Sequence, residues 1–299
     1  MNARQPLLEA LKDRVLLADG AMGTQLQLAG IQAGGCGEYW NLAQPEKVLA
    51  IQRAYAQAGS DCLITNSFGA SRHTLKRHGY AGKAYEINKA AAELARQALG
   101  GHGWVLGDVG PFGGFLEPLG ETSEEELFDI LSQQIRGLLD GGADAIICET
   151  QTALEEAAVG LRAARALGAP CVIASFAFDK VVDGYRTMMG VSPADVVARL
   201  AEPGVDIFAA NCGTGVDISG YAQIVREYRA ATDKPIMAQP NAGQPSMTAG
   251  RVVYLETPQK MASHLRELIE AGAGIIGGCC GTTPEHLRLF RRELDSKVT

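Results

Sequence analysis

The chain has 299 residues, of which 46% are hydrophobic and 20% are charged, and its net charge at neutral pH is −7. This composition is ordinary for a globular protein, and an acidic chain without a basic stripe argues against a nucleic-acid partner. No apolar run reaches the length of about 18 residues that a membrane-spanning helix needs, so no membrane partner is expected.

The cysteines and the N-terminus together predict a cytoplasmic protein. The first residues are mixed and charged, whereas a secretory signal has a basic stretch followed by an apolar one. Seven cysteines, an odd number in a long chain, do not form the pattern of a disulfide framework. In a reducing compartment such thiols are core residues, metal ligands or nucleophiles.

Short apolar runs that end in polar or glycine-rich turns recur along the chain, and amphipathic stretches lie between them. The predicted strands cover residues 15–20, 62–68, 104–111, 145–150, 171–178, 207–212, 235–241 and 275–280. The predicted helices cover residues 45–58, 83–99, 123–139, 152–167, 193–200, 221–231, 258–271 and 284–294. Continuous apolar strands that alternate with helices predict a parallel sheet buried on both faces. Eight such units predict an α/β fold, a single TIM-type (β/α)₈ barrel that forms one domain over residues 1–299; an open doubly wound sheet is the alternative.

Two long connections stand out, at residues 29–41 and 110–120. Long glycine-rich loops usually shape a binding site or close over it. We therefore expect both loops to border the functional site.

Residues of the types that often form active sites lie where the predicted strands end. They are Asp19, Gly20, Asn66, Asp108, Glu149, Cys212, Asn241, Cys279 and Cys280. Active sites of β/α barrels are built at the C-terminal ends of the strands, so these residues are predicted to converge on one face. The alternatives are purely structural roles: a helix cap for Asp19, a salt bridge at the rim for Glu149, and support of loops for Asn66 and Asp108.

Three of the cysteines, Cys212, Cys279 and Cys280, are predicted to meet at that rim. Adjacent cysteines can serve one ion only where the backbone turns sharply, and the neighbouring glycines, including Gly281, permit such a turn. Three thiolates with an open fourth position are typical of a reactive zinc site. Buried thiols or a strained disulfide are the alternatives. By contrast, the cysteines within apolar strands are predicted to be core residues: Cys62, Cys148 and Cys171.

The sequence resembles the homocysteine S-methyltransferase family, and most closely the homocysteine-binding module of cobalamin-dependent methionine synthase. The matching motifs are ADGAMGTQL (18–26), GSDCLITNSFGAS (59–71), GDVGP (107–111), ETQTALEEA (149–157), NCGTG (211–215), QPNAG (239–243) and GGCCGTTPEH (277–286). They span almost the whole chain, and the last motif together with the earlier NC is highly specific.

The resemblance implies an enzyme in which a zinc-bound homocysteine thiolate attacks a methyl donor to give methionine. It implies that Cys212, Cys279 and Cys280 hold the zinc and that Asn241 fills the fourth position when substrate is absent. It also implies that the amino acid end of homocysteine lies near Asp19, Gly20 and Glu149. We expect Asn66 and Asp108, by their places at strand ends, to contribute to the same site.

The methyl donor is left open by the sequence. A small cationic donor such as betaine, S-methylmethionine or S-adenosylmethionine needs aromatic side chains around it, and Trp40 in the first long loop is a candidate. Betaine enzymes of the family, however, carry tyrosines at the positions of Gly69 and Thr150. A rim with small residues suits a methyl-corrinoid carried on a separate protein.

Two further classes of function remain as alternatives. One is a non-catalytic barrel that stores zinc or senses redox state through its adjacent cysteines. The other is an aldolase-type barrel, which requires a lysine at a strand end. No predicted strand ends in lysine, and Lys180 lies beyond the fifth strand.

Overall fold

The computed structural model describes residues 5–201, 204–248 and 251–296. The strands are β1 (Leu16–Leu17), β2 (Cys62–Ile64), β3 (Trp104–Val109), β4 (Ala145–Gln151), β5 (Val172–Phe176), β6 (Asp179–Val181), β7 (Gly184–Arg186), β8 (Ile207–Asn211), β9 (Ile236–Gln239), β10 (Pro245–Thr248), β11 (Arg251–Tyr254) and β12 (Ile275–Ile276). The α-helices are α1 (Leu7–Asp13), α2 (Met22–Leu28), α3 (Trp40–Ala43), α4 (Pro45–Gln57), α5 (Arg72–Leu75), α6 (Ala84–Leu99), α7 (Glu124–Asp140), α8 (Leu154–Ala166), α9 (Pro193–Leu200), α10 (Ile218–Ala231), α11 (Pro258–Ser263), α12 (Leu265–Ala271) and α13 (Pro284–Asp295).

Eight of the strands form one parallel sheet in the order β1-β12-β9-β8-β5-β4-β3-β2. A parallel bridge between Ala18 and Cys62 joins the two ends of this sheet. The predicted (β/α)₈ barrel is therefore confirmed, and the open sheet is excluded because an open sheet keeps two free edges.

The strands are buried on both faces because side chains alternate between the barrel interior and the helix layer. Leu16 and Ile147 pack inside the barrel, whereas Leu17 and Ile146 pack against the helices. The predicted core cysteines follow this alternation and are all buried. Cys62 and Cys171 lie inside, and Cys148 lies outside.

The structure adds elements that the sequence pattern did not predict. Helix α1 precedes the first strand, and two antiparallel hairpins, β6–β7 and β10–β11, follow barrel strands β5 and β9. The side chains of β6 and β7 are partly or fully exposed, so their sequence lacks the apolar run that marks a buried strand. Lys180, expected in a loop, lies in β6. The predicted helix 258–271 is divided at His264, which adopts non-helical angles.

Within the described ranges, no helix combines the length and the apolar character needed to cross a membrane.

Candidate metal and substrate site

Three cysteine thiols meet at the C-terminal end of the barrel. Cys212 follows β8, and Cys279 and Cys280 lie between β12 and α13. Their Sγ atoms all lie within 4.8 Å of one another, and the Sγ atoms of Cys212 and Cys280 are 3.6 Å apart. The predicted convergence of these three residues is therefore observed.

A tight turn allows both adjacent cysteines to face one point. The amide of Thr282 donates to the carbonyl of Cys279, and the amide of Ala242 donates to the carbonyl of Cys280. Gly281 has a φ of +80°, and a β-carbon there would lie 2.1 Å from Cγ of Tyr254. Only glycine meets both conditions at that position.

The geometry and chemistry of the three thiols fit a thiophilic metal ion. Zinc–sulfur bonds of about 2.3 Å in a tetrahedral site place sulfurs about 3.8 Å apart. The observed sulfur spacing therefore needs only small adjustments. Hydrogen bonds with Cys212 and Cys279 lower the pKa of the Cys280 thiol, whereas hydrogen bonds with Cys212 and Cys280, and then burial, raise the pKa of the Cys279 thiol. Without a metal ion, the three thiols share protons through these hydrogen bonds. A metal ion that binds to the cluster would displace those protons.

Asn241 lies beside the cluster with one free acceptor. Its Nδ2 donates to the carbonyl of Gly213 over 3.2 Å, which fixes the orientation of the amide. Its Oδ1 is buried and has no hydrogen-bond partner in the described part of the chain. An unpartnered amide oxygen is costly to bury unless a ligand reaches it. The role of Asn241 as a fourth ligand, which the resemblance implies, stays a prediction.

Three buried carboxyl groups, those of Asp19, Asp108 and Glu149, interact electrostatically at the strand ends. Asp19 Oδ2 accepts the amide of Ile64, while Oδ1 of Asp19 and Oδ1 of Asp108 are buried without a hydrogen-bond partner among the described residues. Burial, and then the charge of Cys280, raises the pKa of Glu149 to about 7. Burial also raises the pKa of Asp19 and of Asp108, and the charge of Glu149 adds to both effects. A group of acids that disfavours its own ionisation is suited to receive a cation.

Gly20 allows the end of β1 to pack closely against the cysteine turn. A β-carbon at this position would lie 2.6 Å from Oγ1 of Thr282, which accepts the amide of Ala21. The backbone near Gly20 is thereby held beside Asp19.

Asn66 and Trp40 have other contacts in this structure. Asn66 donates both amide hydrogens, to the carbonyl of Gly37 and to Oδ1 of Asn41, and so ties the end of β2 to the first long loop. Trp40 is 9% exposed in the core between barrel and helices, with Nζ of Lys47 4.6 Å from its ring centroid. Lys47 is therefore a cationic partner of that ring.

Two residues that the strand-end analysis missed contact the cysteines. Asn211, the last residue of β8, donates from Nδ2 to Sγ of Cys279 over 3.8 Å. Tyr254 packs on Gly281, and a hydrogen bond from its hydroxyl helps to lower the pKa of Cys280. The alternation that places Ile207 and Ala209 inside the barrel continues to Asn211, so that signal was present in the sequence.

A barrel with an apolar interior, and with thiols and carboxyl groups gathered where its strands end, is of the class of β/α barrels whose functional site lies at the C-terminal face. A family model described as homocysteine S-methyltransferase matches residues 16–294. The chain therefore belongs to the homocysteine S-methyltransferase family, as the resemblance of its motifs suggested.

Known relatives agree with this assignment. Methionine synthase of Mycobacterium tuberculosis is 35% identical over 298 residues, covering 94% of this chain and 25% of the relative. The protein of the same name from Mycobacterium leprae is 34% identical over 297 residues. The chain thus spans about a quarter of the length of these relatives.

A solved structure of similar length also matches. The metallated form of the homocysteine methyltransferase MmuM from Escherichia coli has 27% sequence identity and a TM-score of 0.78, covering 95% of this chain and 99% of that chain. The oxidized form of the same protein has the same identity and TM-score.

Proposed function

We propose that this chain transfers a methyl group to the thiol of homocysteine with the help of a zinc ion held by Cys212, Cys279 and Cys280. The observation that carries the proposal is the meeting of three thiols within 4.8 Å of one another at the strand ends, where buried carboxylates have unpartnered oxygens. The cysteine cluster is suited to bind a metal ion and a substrate thiol, and the buried carboxylates are suited to bind a substrate ammonium group.

When bound, zinc would supply the positive charge that keeps the substrate thiol deprotonated at neutral pH, since a free thiol with a pKa of about 8.5 is mostly protonated. The three cysteine thiolates would hold the ion, and a three-cysteine set would leave room for a further ligand. Asn241 Oδ1, buried and unpartnered, supports a role as that ligand before substrate arrives.

The carboxylates would orient the substrate through its ammonium group. An ammonium carries three N–H donors, and Asp19, Asp108 and Glu149 offer acceptors on one side of the barrel mouth. We place the substrate carboxylate near the backbone of Gly20. Asn66 supports this site from the end of β2 by holding the first loop.

In the transfer, the sulfur of homocysteine forms a bond to the methyl carbon while the bond between that carbon and the donor breaks. The electron pair of the broken bond leaves with the donor, and the thiol proton has already passed to solvent. The chain's own contribution is to hold both ends of the substrate so that its sulfur faces the incoming methyl group.

A methyl-corrinoid on a separate protein is our preferred donor. The positions of Gly69 and Thr150 are small, and a β-carbon at Gly69 would lie 2.7 Å from Oε1 of Glu38, which accepts the Gly69 amide. An aromatic residue at position 69 therefore cannot be accommodated unless Glu38 moves. This argues against the aromatic enclosure of a betaine-type donor.

A small donor such as S-methylmethionine or S-adenosylmethionine is the second candidate. The chain is similar to the homocysteine methyltransferase MmuM over nearly the whole of that chain. Trp40 was the expected aromatic contact for such a donor, but its place in the core shifts the expected effect of Trp40→Ala toward lost stability.

Metal content and homocysteine titration test the proposal. We expect about one zinc per chain and about one proton released per homocysteine bound near neutral pH. Cys212→Ala, Cys279→Ala and Cys280→Ala should each lose the zinc, whereas Cys36→Ala in the first loop should retain it. A chain purified in reducing, chelator-free buffer without zinc would overturn the mechanism.

The same protein preparation distinguishes a methyltransferase from a non-catalytic zinc or redox-sensing protein. If zinc and homocysteine bind but no donor supports methionine formation, the non-catalytic alternative is favoured. Loss of zinc on mild oxidation, with two of the cysteines joined, would favour a redox role. Methionine formation with any donor excludes a purely non-catalytic role.

A further inference from the structure

Asn211 is a fully buried residue whose side-chain amide uses all of its hydrogen-bonding capacity at the site. Its Oδ1 accepts the amide of Thr150 over 3.2 Å and the hydroxyl of Ser175 over 2.7 Å. Its Nδ2 donates to Oγ1 of Thr150 over 2.8 Å and to Sγ of Cys279 over 3.8 Å. A backbone amide can only donate, so the contact with Thr150 fixes the oxygen on that side and directs an N–H toward the sulfur.

The two residues beside this side chain have left-handed backbones. Thr150 has a φ of +57° and Cys212 a φ of +56°. Such a φ is unusual for any residue except glycine, and for a β-branched residue such as threonine it requires compensating contacts. Asn211 bonds both the amide and the hydroxyl of Thr150 and immediately precedes Cys212 in the chain.

The side-chain amide of Asn211 therefore lies between the cysteine cluster and the strand that carries the carboxylate Glu149. Thr150 follows Glu149 directly in β4, so the hydrogen bonds to Thr150 hold the backbone next to Glu149 in place. Cys279 belongs to the cysteine cluster. A movement of Asn211 would disturb the acid and the thiol together.

We propose that Asn211 is a positioning residue that links the metal ligand Cys279 to the substrate carboxylate Glu149. Its N–H stabilises the Cys279 thiolate in one orientation, and its hydrogen bonds to Thr150 hold Glu149 toward the substrate. This inference rests on the metal and substrate roles proposed above. Contacts of this kind behind a metal ligand typically change metal affinity or activity by about 10- to 100-fold.

Asn211→Asp tests the link to the thiolate. The substitution keeps the size and the acceptor for Thr150 but places an oxygen against Sγ of Cys279. We expect zinc affinity, measured by competition with a chelator, to fall by about tenfold or more. With cobalt(II) in place of zinc, the sulfur-to-metal charge-transfer band should move to longer wavelength, because a thiolate without an N–H donor is more easily oxidised. A merely structural role would not shift this band.

Asn88→Asp is the matched control. Asn88 is equally buried and donates to the carbonyls of Ala70 and Ala84, in the layer outside the barrel. We expect it to leave both zinc affinity and the cobalt band unchanged. If Asn211→Asp does not fold, Asn211→Ser gives the same two measurements, because its hydroxyl is too short to reach the sulfur.

Thr150→Gly tests the link to the carboxylate. Glycine keeps the left-handed backbone without strain but removes Oγ1, so zinc should stay bound while homocysteine binds about tenfold more weakly. Zinc affinity and a cobalt band unchanged in the Asn211 variants would overturn the link to Cys279, and unchanged homocysteine affinity in Thr150→Gly would overturn the link to Glu149. A wild-type chain that binds neither zinc nor cobalt would instead overturn the proposed metal site itself.

Discussion

Burial of Glu149 disfavours the charged form of its carboxyl group, whereas the proposed function requires that charged form. Its carboxylate lies at the end of β4, and the charge of Cys280 adds to the effect of burial in raising its pKa to about 7. Without a cation, ionisation of this group is unfavourable. A substrate ammonium removes that penalty, so binding energy is available from a group that costs stability in the free protein.

Glu149→Gln should weaken homocysteine binding far more than zinc binding. The loss of a charge-assisted hydrogen bond is worth about 1.5–3 kcal/mol, which corresponds to a roughly 10- to 100-fold higher dissociation constant. Calorimetric titration of the zinc-loaded protein measures this directly. Glu156→Gln on α8, which removes a neighbouring carboxylate that accepts the amide of Phe112, is the control and should leave homocysteine affinity unchanged. Unchanged affinity in Glu149→Gln would show that the ammonium role is wrong.

The same substitution should stabilise the metal-free protein at alkaline pH. The folded state raises the pKa of Glu149 from 4.5 to about 7, so its stabilising contribution is full below pH 4.5 and is lost as pH rises through 7. Glutamine keeps the neutral form at every pH. We therefore expect Glu149→Gln to exceed wild type by on the order of 1–3 kcal/mol at pH 8 and to equal it near pH 4.5.

Denaturant unfolding of the chelator-treated protein at both pH values checks this expectation. Glu125→Gln, an exposed position on α7, serves as the control and should show no such pH-dependent gain. Equal stability of Glu149→Gln and wild type at pH 8 would contradict the argument from burial.

At the scale of elements, the turn between β12 and α13 determines whether two adjacent cysteines can share one ion. Gly281→Ala adds a β-carbon to a left-handed residue and places it 2.1 Å from Cγ of Tyr254. Strain and overpacking together cost about 2–4 kcal/mol, and the turn is expected to open. Zinc content after dialysis should fall sharply.

Gly142→Ala is the control that separates the effect of backbone strain from the effect of steric contact. Gly142 also has a positive φ, of +94°, but a β-carbon there meets no atom within 4 Å. We expect this variant to lose some stability and to retain its zinc. If Gly281→Ala also retained a full equivalent of zinc, the turn would not be a determinant of the metal site.

The elements differ in how readily the sequence predicted them. The barrel strands were predictable because each is a continuous apolar run followed by a helix, and the cysteine cluster followed because its members end such runs. The hairpins β6–β7 and β10–β11 were missed, since short exposed strands at a barrel mouth carry no comparable signal. Strand alternation indicates that Asn211 faces the barrel interior, but its contacts with Thr150 and Ser175, which come from other strands, were not predictable.

Trp40 and Asn66 illustrate the same limit at loops. Both lie where function was expected, but contacts across the chain decide what their side chains do. Lys47 covers the ring of Trp40, and Gly37 and Asn41 take the amide hydrogens of Asn66. No local pattern contains these partners, so the substrate role of Asn66 stays a prediction.

At the scale of the whole molecule, the exposed apolar side chains are distributed unevenly. The large hydrophobic residues that are exposed in the described part of the chain are Leu28, Leu42, Phe68, Phe115, Leu119, Val181, Val182, Met188, Met189 and Leu255. All of them lie in connections that follow the carboxyl end of a barrel strand. They therefore surround the face that carries the cysteines. Exposed apolar side chains at this face would offer apolar contacts to the donor protein proposed above.

Substitutions on this rim should distinguish a protein-bound donor from a free one. Leu119 is 75% exposed and Met188 is 78% exposed, so replacing both with serine should leave the fold, zinc content and homocysteine affinity unchanged. With a methyl-corrinoid protein as donor, we expect kcat/KM to fall about tenfold or more, because apolar anchors at an interface carry much of its binding energy. Free methylcobalamin needs no docking surface, so its rate in the same variant is the control and should match wild type. Equal losses with both donors would assign these residues to the site itself, and no loss with either would show that the rim does not receive the donor protein.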